Sequence, residues 1–133
     1  MTRELAWRAH ASLLGHWALL GYGRWAVEEA DTGLYCGNVG LWNPEGWPEP
    51  EIGWDVTGRA EGRGIAAEAA KAARDYAYDS LGWTTVMSLI NPAIERSIAL
   101  ARRLGCRPDG QFTHERHGTL DIWRHPGPQE VPA

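Results

Sequence analysis

Two glycines, Gly62 and Gly64, stand one residue apart at the start of an alanine-rich run that extends from Ile65 to Ser80. Glycine adopts positive φ angles without steric cost and lets a ligand approach the backbone. The first turn of a helix offers N–H groups that have no intrahelical partner, at the positive end of the helix dipole. The pattern therefore predicts a helix from Ile65 to Ser80 whose start binds an anion, most often a phosphate.

The alanines of this helix indicate what lies beneath it. The spacing of Ile65, Ala69, Ala72 and Tyr76 places them on one stripe of the helix. Further along, TTVMSLI (84–90) is a nearly unbroken apolar run, which is typical of a central strand covered on both faces. We therefore expect the helix to approach a sheet closely through its alanines.

The remaining patterns predict an antiparallel meander followed by a single parallel step. The predicted elements are, in order, a helix at Arg3–Leu20 with Leu5, Ala9, Leu13 and Trp17 inward, strands at 24–30, 34–42 and 52–56, the helix at 65–80, a strand at 84–90, a helix at about 94–104, and a hairpin over 111–124. This order belongs to the α+β (mixed α/β) class, with one parallel pair between strands 52–56 and 84–90. We expect a single domain over residues 1–125 and a disordered tail over residues 126–133.

Composition and charge exclude several classes of protein. A net charge of -4 gives no basic field, so nucleic acid is not an expected partner. No apolar run approaches the roughly 20 residues that span a bilayer, so no membrane partner is expected. Cys36 and Cys106 lie far apart in a chain without a secretory signal, which predicts reduced thiols in a cytoplasmic protein. His114 and His117 lack a third ligand, and we expect no metal site.

The glycine pair has four competing interpretations. Gly62-x-Gly64-x-x-Ala67 fits the dinucleotide fingerprint, but that site needs an acidic residue at the end of the following strand, and this strand ends in Ile90-Asn91-Pro92. A Walker loop is excluded because no Gly-Lys-Ser/Thr occurs. A phosphate cradle of another kind remains, beside the simpler interpretation that the glycines only let the helix pack tightly.

Several segments together resemble one family. RAEGRGIAAEAAKAARDYAYDSLGW, followed by MSLINPAIERSIALARRLGC, is similar to the acetyl-CoA-binding core of the GNAT superfamily of N-acetyltransferases. The family signature stands here as Arg59, Gly62 and Gly64. The resemblance extends over about Leu13 to Pro126 and is greatest to the branch of ribosomal-protein N-terminal acetyltransferases.

The resemblance implies acetyl-CoA as the cofactor. It implies that the amides from Glu61 to Ala66 hold the pyrophosphate, and that Asp55 and Val56 bond the pantetheine arm through their backbones where two parallel strands splay apart. The cofactor-binding residues implied in this way are Asp55, Val56, Arg59, Glu61, Gly62, Arg63, Gly64, Ile65, Ala66, Asn91 and Ser97.

The chain departs from the family pattern at three points. Ile94 stands where the branch usually has an asparagine three residues before Ser97, and Asn91 can substitute only if the loop is rearranged. Ala101 stands where many members have a tyrosine that protonates the sulfur. The family's first strand and first helix have no counterpart, which leaves the strand at 24–30 as an uncovered edge. We therefore expect a homodimer, or a strand supplied by a partner.

The resemblance implies an N-acetyltransferase in which a primary amine, either a peptide N-terminus or a small amine, attacks acetyl-CoA directly within a ternary complex. Glu51 is the candidate base, and its competing interpretation is a solvated charge after Pro50. Ser97 or water is the candidate acid, while Cys36 and Cys106 are expected to be buried rather than nucleophilic. The alternative hypothesis is a non-catalytic acyl-CoA-binding or dimerisation module.

Overall fold

The computed structural model describes residues 1–131 as a six-stranded mixed sheet with helices on both faces. The elements are α1 (Arg3–Leu20), β1 (Arg24–Glu28), β2 (Tyr35–Trp42), β3 (Glu51–Val56), α2 (Ile65–Asp75, continued by a π-helical turn at Tyr76–Ser80), β4 (Met87–Ile90), α3 (Glu95–Arg103), β5 (Arg107–His114) and β6 (Gly118–Arg124). The predicted mixed α/β class and the predicted order of elements are confirmed.

The sheet has the order β1-β2-β3-β4-β6-β5, and its one parallel pair is β3 with β4. That pair is the parallel step that the sequence predicts. Its register contains a single residue pair, Glu51 opposite Met87, after which the two strands separate. Strand β4 is shorter than the predicted 84–90, because Thr84 and Thr85 are exposed and precede it. We call the opening between β3 and β4 the seam.

Helix α2 packs on β2 and β3 as expected, but through a different stripe from the predicted one. Ala72 is exposed, whereas Ile65, Ala69 and Tyr76 are only half-buried. The buried positions are Ala67, Ala70, Ala73, Arg74 and Ala77. The charge of Arg74 conceals this stripe in the sequence, but inside the fold its guanidinium donates to the carbonyl of Leu104 (2.6 Å).

Helix α1 has its predicted bounds, set by Thr2, whose hydroxyl accepts from Leu5 N (3.1 Å), and by Gly21 at φ +76°. The predicted inward stripe is wrong at its first two positions, since Leu5 and Ala9 are exposed. The helix meets the sheet only near its C-terminal end, where the buried His16 stacks on Trp42 with ring centroids 4.5 Å apart.

The two faces of the sheet have different covers. Val39, Leu41 and Ile52 enter the main core beneath α2, and we call this side the α2 face. The opposite side, reached by α1 and the loop at 43–50, is the α1 face. Alternation along β3 places Glu51, Gly53 and Asp55 on the α1 face, and places Ile52, Trp54 and Val56 on the α2 face.

The predicted tail begins at Pro126, and its described part makes defined contacts. The Tyr78 hydroxyl donates to the carbonyl of Pro126 (2.7 Å), and Glu130 N donates to Gly127 O (2.9 Å). Pro132 and Ala133 lie outside the described residues. Within residues 1–131, no helix is both long enough and apolar enough to cross a bilayer.

Candidate functional site

A cavity of about 290 Å³ opens on the α2 face between β3, the start of α2, and α3. We call it the loop cavity. Its lining combines apolar side chains with the glycine loop and two arginines: Trp54, Val56, Ala60, Glu61, Gly62, Gly64, Ala66, Ala67, Arg96, Ser97, Ala99, Leu100 and Arg103. The cavity thus has an apolar wall and a rim of backbone and charged groups.

The glycine loop has the conformation that the sequence predicts. Gly62 and Gly64 have φ angles of +75° and +77°, which favour glycine, and space is open beside Gly62. Gly64 is the N-cap of α2 and caps it with no side chain. The first helical bond of α2 is donated by Glu68 N to Gly64 O (3.0 Å). The amides of residues 65–67 are therefore left for a ligand. This donor set fits a phosphate group.

The charged residues of the loop divide into two groups. Glu61 lines the cavity and pairs with Arg96 across its mouth (3.2 Å). Arg59 and Arg63 are instead held by other partners, the carbonyl of Tyr35 (2.7 Å) and the carboxylate of Glu29. Of the predicted cofactor residues, those that line the loop cavity are Val56, Glu61, Gly62, Gly64, Ala66 and Ser97, whereas Arg59, Arg63 and Ile65 do not.

A second cavity of about 580 Å³ opens on the α1 face, and we call it the acceptor cavity. Its lining is mixed in charge and rich in tryptophan: Ala9, Ser12, Leu13, Arg24, Asn38, Trp42, Trp47, Glu51, Asp55, Leu89, Asn91, His117 and Leu120. Asp55 and Asn91 therefore lie here and not with the glycine loop. Asn91 also uses its side-chain oxygen to accept from Ala93 N (2.9 Å).

The backbone of β3 shows which groups face the seam. Leu41 N donates to Gly23 O, towards β1, so that by alternation Gly40 and Trp42 point their backbone groups at β3. Their partners in the antiparallel register are Gly53 and Glu51, and Asp55 points the same way. The backbone groups of Ile52, Trp54 and Val56 consequently face the seam. Of the two residues expected to offer their backbones there, Val56 faces the seam and Asp55 does not, since Asp55 points at β2 and Trp54 takes its place.

Glu51 is buried on the α1 face, with 4% of its surface exposed. Its carboxylate accepts from Trp47 Nε1 (2.9 Å) and from Leu89 N (2.8 Å), the second bond crossing the seam. Burial raises the pKa of this carboxyl, while Leu89, Arg24 and Trp47 oppose the rise. The interpretation of Glu51 as a solvated charge is therefore wrong, and a base of raised pKa stands beside the acceptor cavity.

Ser97 lies on α3 within the loop cavity. Its hydroxyl accepts a long hydrogen bond from Trp54 Nε1 (3.4 Å). Cys36 and Cys106 are both buried, as expected, and burial raises the pKa of Cys106 to about 12. A thiol of such pKa stays protonated and is a poor nucleophile.

The sequence reasoning missed several residues that line the two cavities. Trp54 could have been found, because alternation from Glu51 places it on the face of β3 opposite to that of Asp55. Arg96, Leu100 and Arg103 form one stripe of α3 at i, i+4 and i+7 spacing, and this stripe lies beside Ser97. Arg24 gives no such signal: it enters the acceptor cavity because its guanidinium crosses the sheet over Gly53, where an added Cβ would lie 2.2 Å from Nη2.

Comparison with known proteins shows what the chain is similar to. The family model described as an acetyltransferase (GNAT) domain matches residues 1–107. A Bacillus subtilis (strain 168) protein, "Uncharacterized protein YkkB", is 34% identical over 89 residues, which are 64% of this chain and 52% of YkkB, so the chain spans about half the length of that relative.

Solved structures give the same result. An acetyltransferase from Agrobacterium tumefaciens str. C58 superposes with a TM-score of 0.84 and 31% identity over 95% of this chain and 73% of that one. The ribosomal-protein-S5-alanine acetyltransferase from Vibrio fischeri superposes with a TM-score of 0.73 and 16% identity over the same shares, a likeness of fold alone.

Proposed function

Because the chain belongs to the acetyltransferase (GNAT) family, we propose that it transfers the acetyl group of acetyl-CoA to the nitrogen of a primary amine. One observation carries the proposal: two cavities, one lined by a phosphate-binding loop and one by a buried carboxylate, lie on opposite faces of the sheet beside the seam. Such an arrangement brings a donor and an acceptor together through the sheet.

The loop cavity is the proposed cofactor site. The amides at the start of α2 bind the pyrophosphate, Gly62 and Gly64 leave room for it, and Val56 and Leu100 contact the apolar part of the pantetheine arm. The backbone groups of Trp54 and Val56, which face the seam, would hold the arm there. When bound, acetyl-CoA supplies a thioester whose carbonyl carbon is open to attack by an amine.

The acceptor cavity is the proposed amine site. Trp42 and Trp47 provide aromatic walls, and Glu51 accepts the proton that the incoming ammonium must lose before its nitrogen can attack. The amine attacks directly, without a covalent enzyme intermediate, and a seam-facing N–H of β3 polarises the carbonyl. Ser97 or water returns a proton to the sulfur. The acceptor classes proposed are a peptide N-terminus, as the name of the Vibrio fischeri protein suggests, or a small amine.

We also propose that two chains associate along β1. This strand is at one edge of the sheet. Helix α1 also carries exposed apolar side chains, among them Trp7, Leu14 and Leu19. An open edge and exposed apolar surface both favour pairing with a second copy. A cytoplasmic location stays a prediction.

The test is calorimetric titration with coenzyme A of the parent protein, Gly64→Asp and Gly118→Asp. Gly118 has a similar φ angle (+73°) and open space around it, but lies in the β5–β6 hairpin outside the loop cavity, so it controls for backbone strain. Gly64→Asp should abolish binding, because it places a carboxylate against the phosphate, whereas Gly118→Asp should bind like the parent.

Unaltered affinity in Gly64→Asp would overturn the loop assignment. Binding without release of free thiol in the presence of any amine would instead support the alternative, a non-catalytic acyl-CoA-binding module.

A further inference from the structure

The seam is closed to further backbone pairing by two side chains. In the register set by Glu51 and Met87, the carbonyl of Ile52 and the amide of Leu89 face each other and would form the next bond of a parallel ladder. Both groups have other partners: Ser88 Oγ donates to Ile52 O (2.7 Å), and Leu89 N donates to Glu51 Oε2 (2.8 Å). One side chain acts from each face of the sheet, so closing the strands at this position would gain no hydrogen bond.

The hydroxyl on the α2 face is oriented by a chain of buried groups. Arg74 Nη1 lies 3.2 Å from His125 Nδ1, and His125 Nε2 lies 2.9 Å from Ser88 Oγ. Because a guanidinium only donates, Nδ1 must accept, and the hydrogen of the neutral ring is then on Nε2. That hydrogen points to Ser88 Oγ, which leaves the hydroxyl hydrogen of Ser88 for the carbonyl of Ile52.

The neutral state of His125 is secured by its surroundings. The ring is buried, with 2% of the residue exposed, and faces Arg74. Burial above all, together with Arg74 and Arg124, lowers the pKa of His125 to about 3. The direction of the three hydrogen bonds is therefore the same throughout the physiological pH range.

We infer that Ser88, oriented by His125 and Arg74, is a positioning residue that holds the β3–β4 seam open to the width that the cofactor's pantetheine arm requires. The inference rests on the proposed function. Removing the hydroxyl leaves the buried carbonyl of Ile52 without a partner, and the cheapest replacement is the amide of Leu89 across the seam. The strands then close, and the arm must reopen them before it can bind.

The experiment separates the seam from the glycine loop by using two ligands. Adenosine 3′-phosphate 5′-diphosphate carries all three phosphates of coenzyme A without the arm, so it reports on the loop, whereas intact coenzyme A reports on both. Affinities for the two are measured by calorimetry, with displacement where binding is weak, for the parent, Ser88→Ala, Ser88→Thr and Val39→Ala. Val39 is a buried core residue of β2, a strand that does not border the seam, so its variant controls for lost stability.

Ser88→Ala should lower the affinity for coenzyme A about tenfold while that for the nucleotide without the arm changes by less than about twofold. Ser88→Thr, which keeps the hydroxyl, should restore the ratio, and Val39→Ala should lower the melting temperature without changing it. An unchanged ratio in Ser88→Ala overturns the inference alone. Failure of the parent protein to bind either ligand overturns the proposed function, and the inference with it.

Discussion

At the scale of single residues, Glu51 combines two tasks. Its carboxylate ties Leu89 of β4 to β3 across the seam, and it also stands in the acceptor cavity as the proposed base. The two tasks are compatible, because a carboxylate has more lone pairs than its two hydrogen-bond donors occupy. Burial, which raises its pKa, moves the carboxyl towards the range in which a base works best near neutral pH.

Glu51→Gln should separate the tasks. The amide oxygen can still accept from Leu89 N, so the affinity for coenzyme A should stay close to that of the parent. Thiol release should fall by about 100-fold because the amide takes no proton from the amine. In the parent, release should also decline as pH falls through the raised pKa of Glu51. Equal rates in the two proteins would remove Glu51 from the mechanism.

His125 makes a prediction about stability. Its pKa in the fold is about 3, below its ordinary value of 6.5. As pH falls below 6.5, His125 is therefore protonated in the unfolded chain but stays neutral in the native state. The native protein therefore loses stability, by up to ~1.4 kcal/mol per pH unit from this one group. Urea unfolding between pH 7 and pH 5 should show this slope, and His125→Gln should reduce it. The same slope in both proteins would contradict the prediction.

At the scale of elements, the sequence predicts what local chemistry decides. Thr2 and Gly21 bound α1, and the glycines at 62 and 64 begin α2, because capping depends on the residues at the helix ends themselves. Alternation along β3 places Glu51 and Asp55 on one face, and this too is decided within the element itself. The candidate site is therefore predictable as far as it consists of the loop and of one strand.

The resemblance implies that the two parallel strands separate, but the side chains that block the seam and the buried stripe of α2 could not be predicted, because each depends on partners distant in the chain. Arg74 is buried only because Leu104 and His125 accept its hydrogens. Which backbone groups of β3 face the seam follows from those that β2 has already taken, and register is a property of the assembled sheet.

At the scale of the whole molecule, the edge strand β1 makes the proposed pairing testable. Trp25 pairs with Val39 of β2, so by alternation the amide of Ala26 points outward. Ala26→Pro removes that outward donor without touching the β1–β2 bonds, and edge strands tolerate proline. Light scattering should find a dimer for the parent and a monomer for Ala26→Pro, with matching circular dichroism. A monomeric parent would contradict the pairing.

The positions of the two cavities have a consequence for the order in which the ligands bind and leave. In the proposed reaction the sheet separates the two ligands except at the seam. Each reactant enters, and each product leaves, on its own face of the sheet. On the proposed function neither ligand obstructs the other's path, so no compulsory order of arrival is built into the architecture. Product-inhibition patterns would reveal an imposed order.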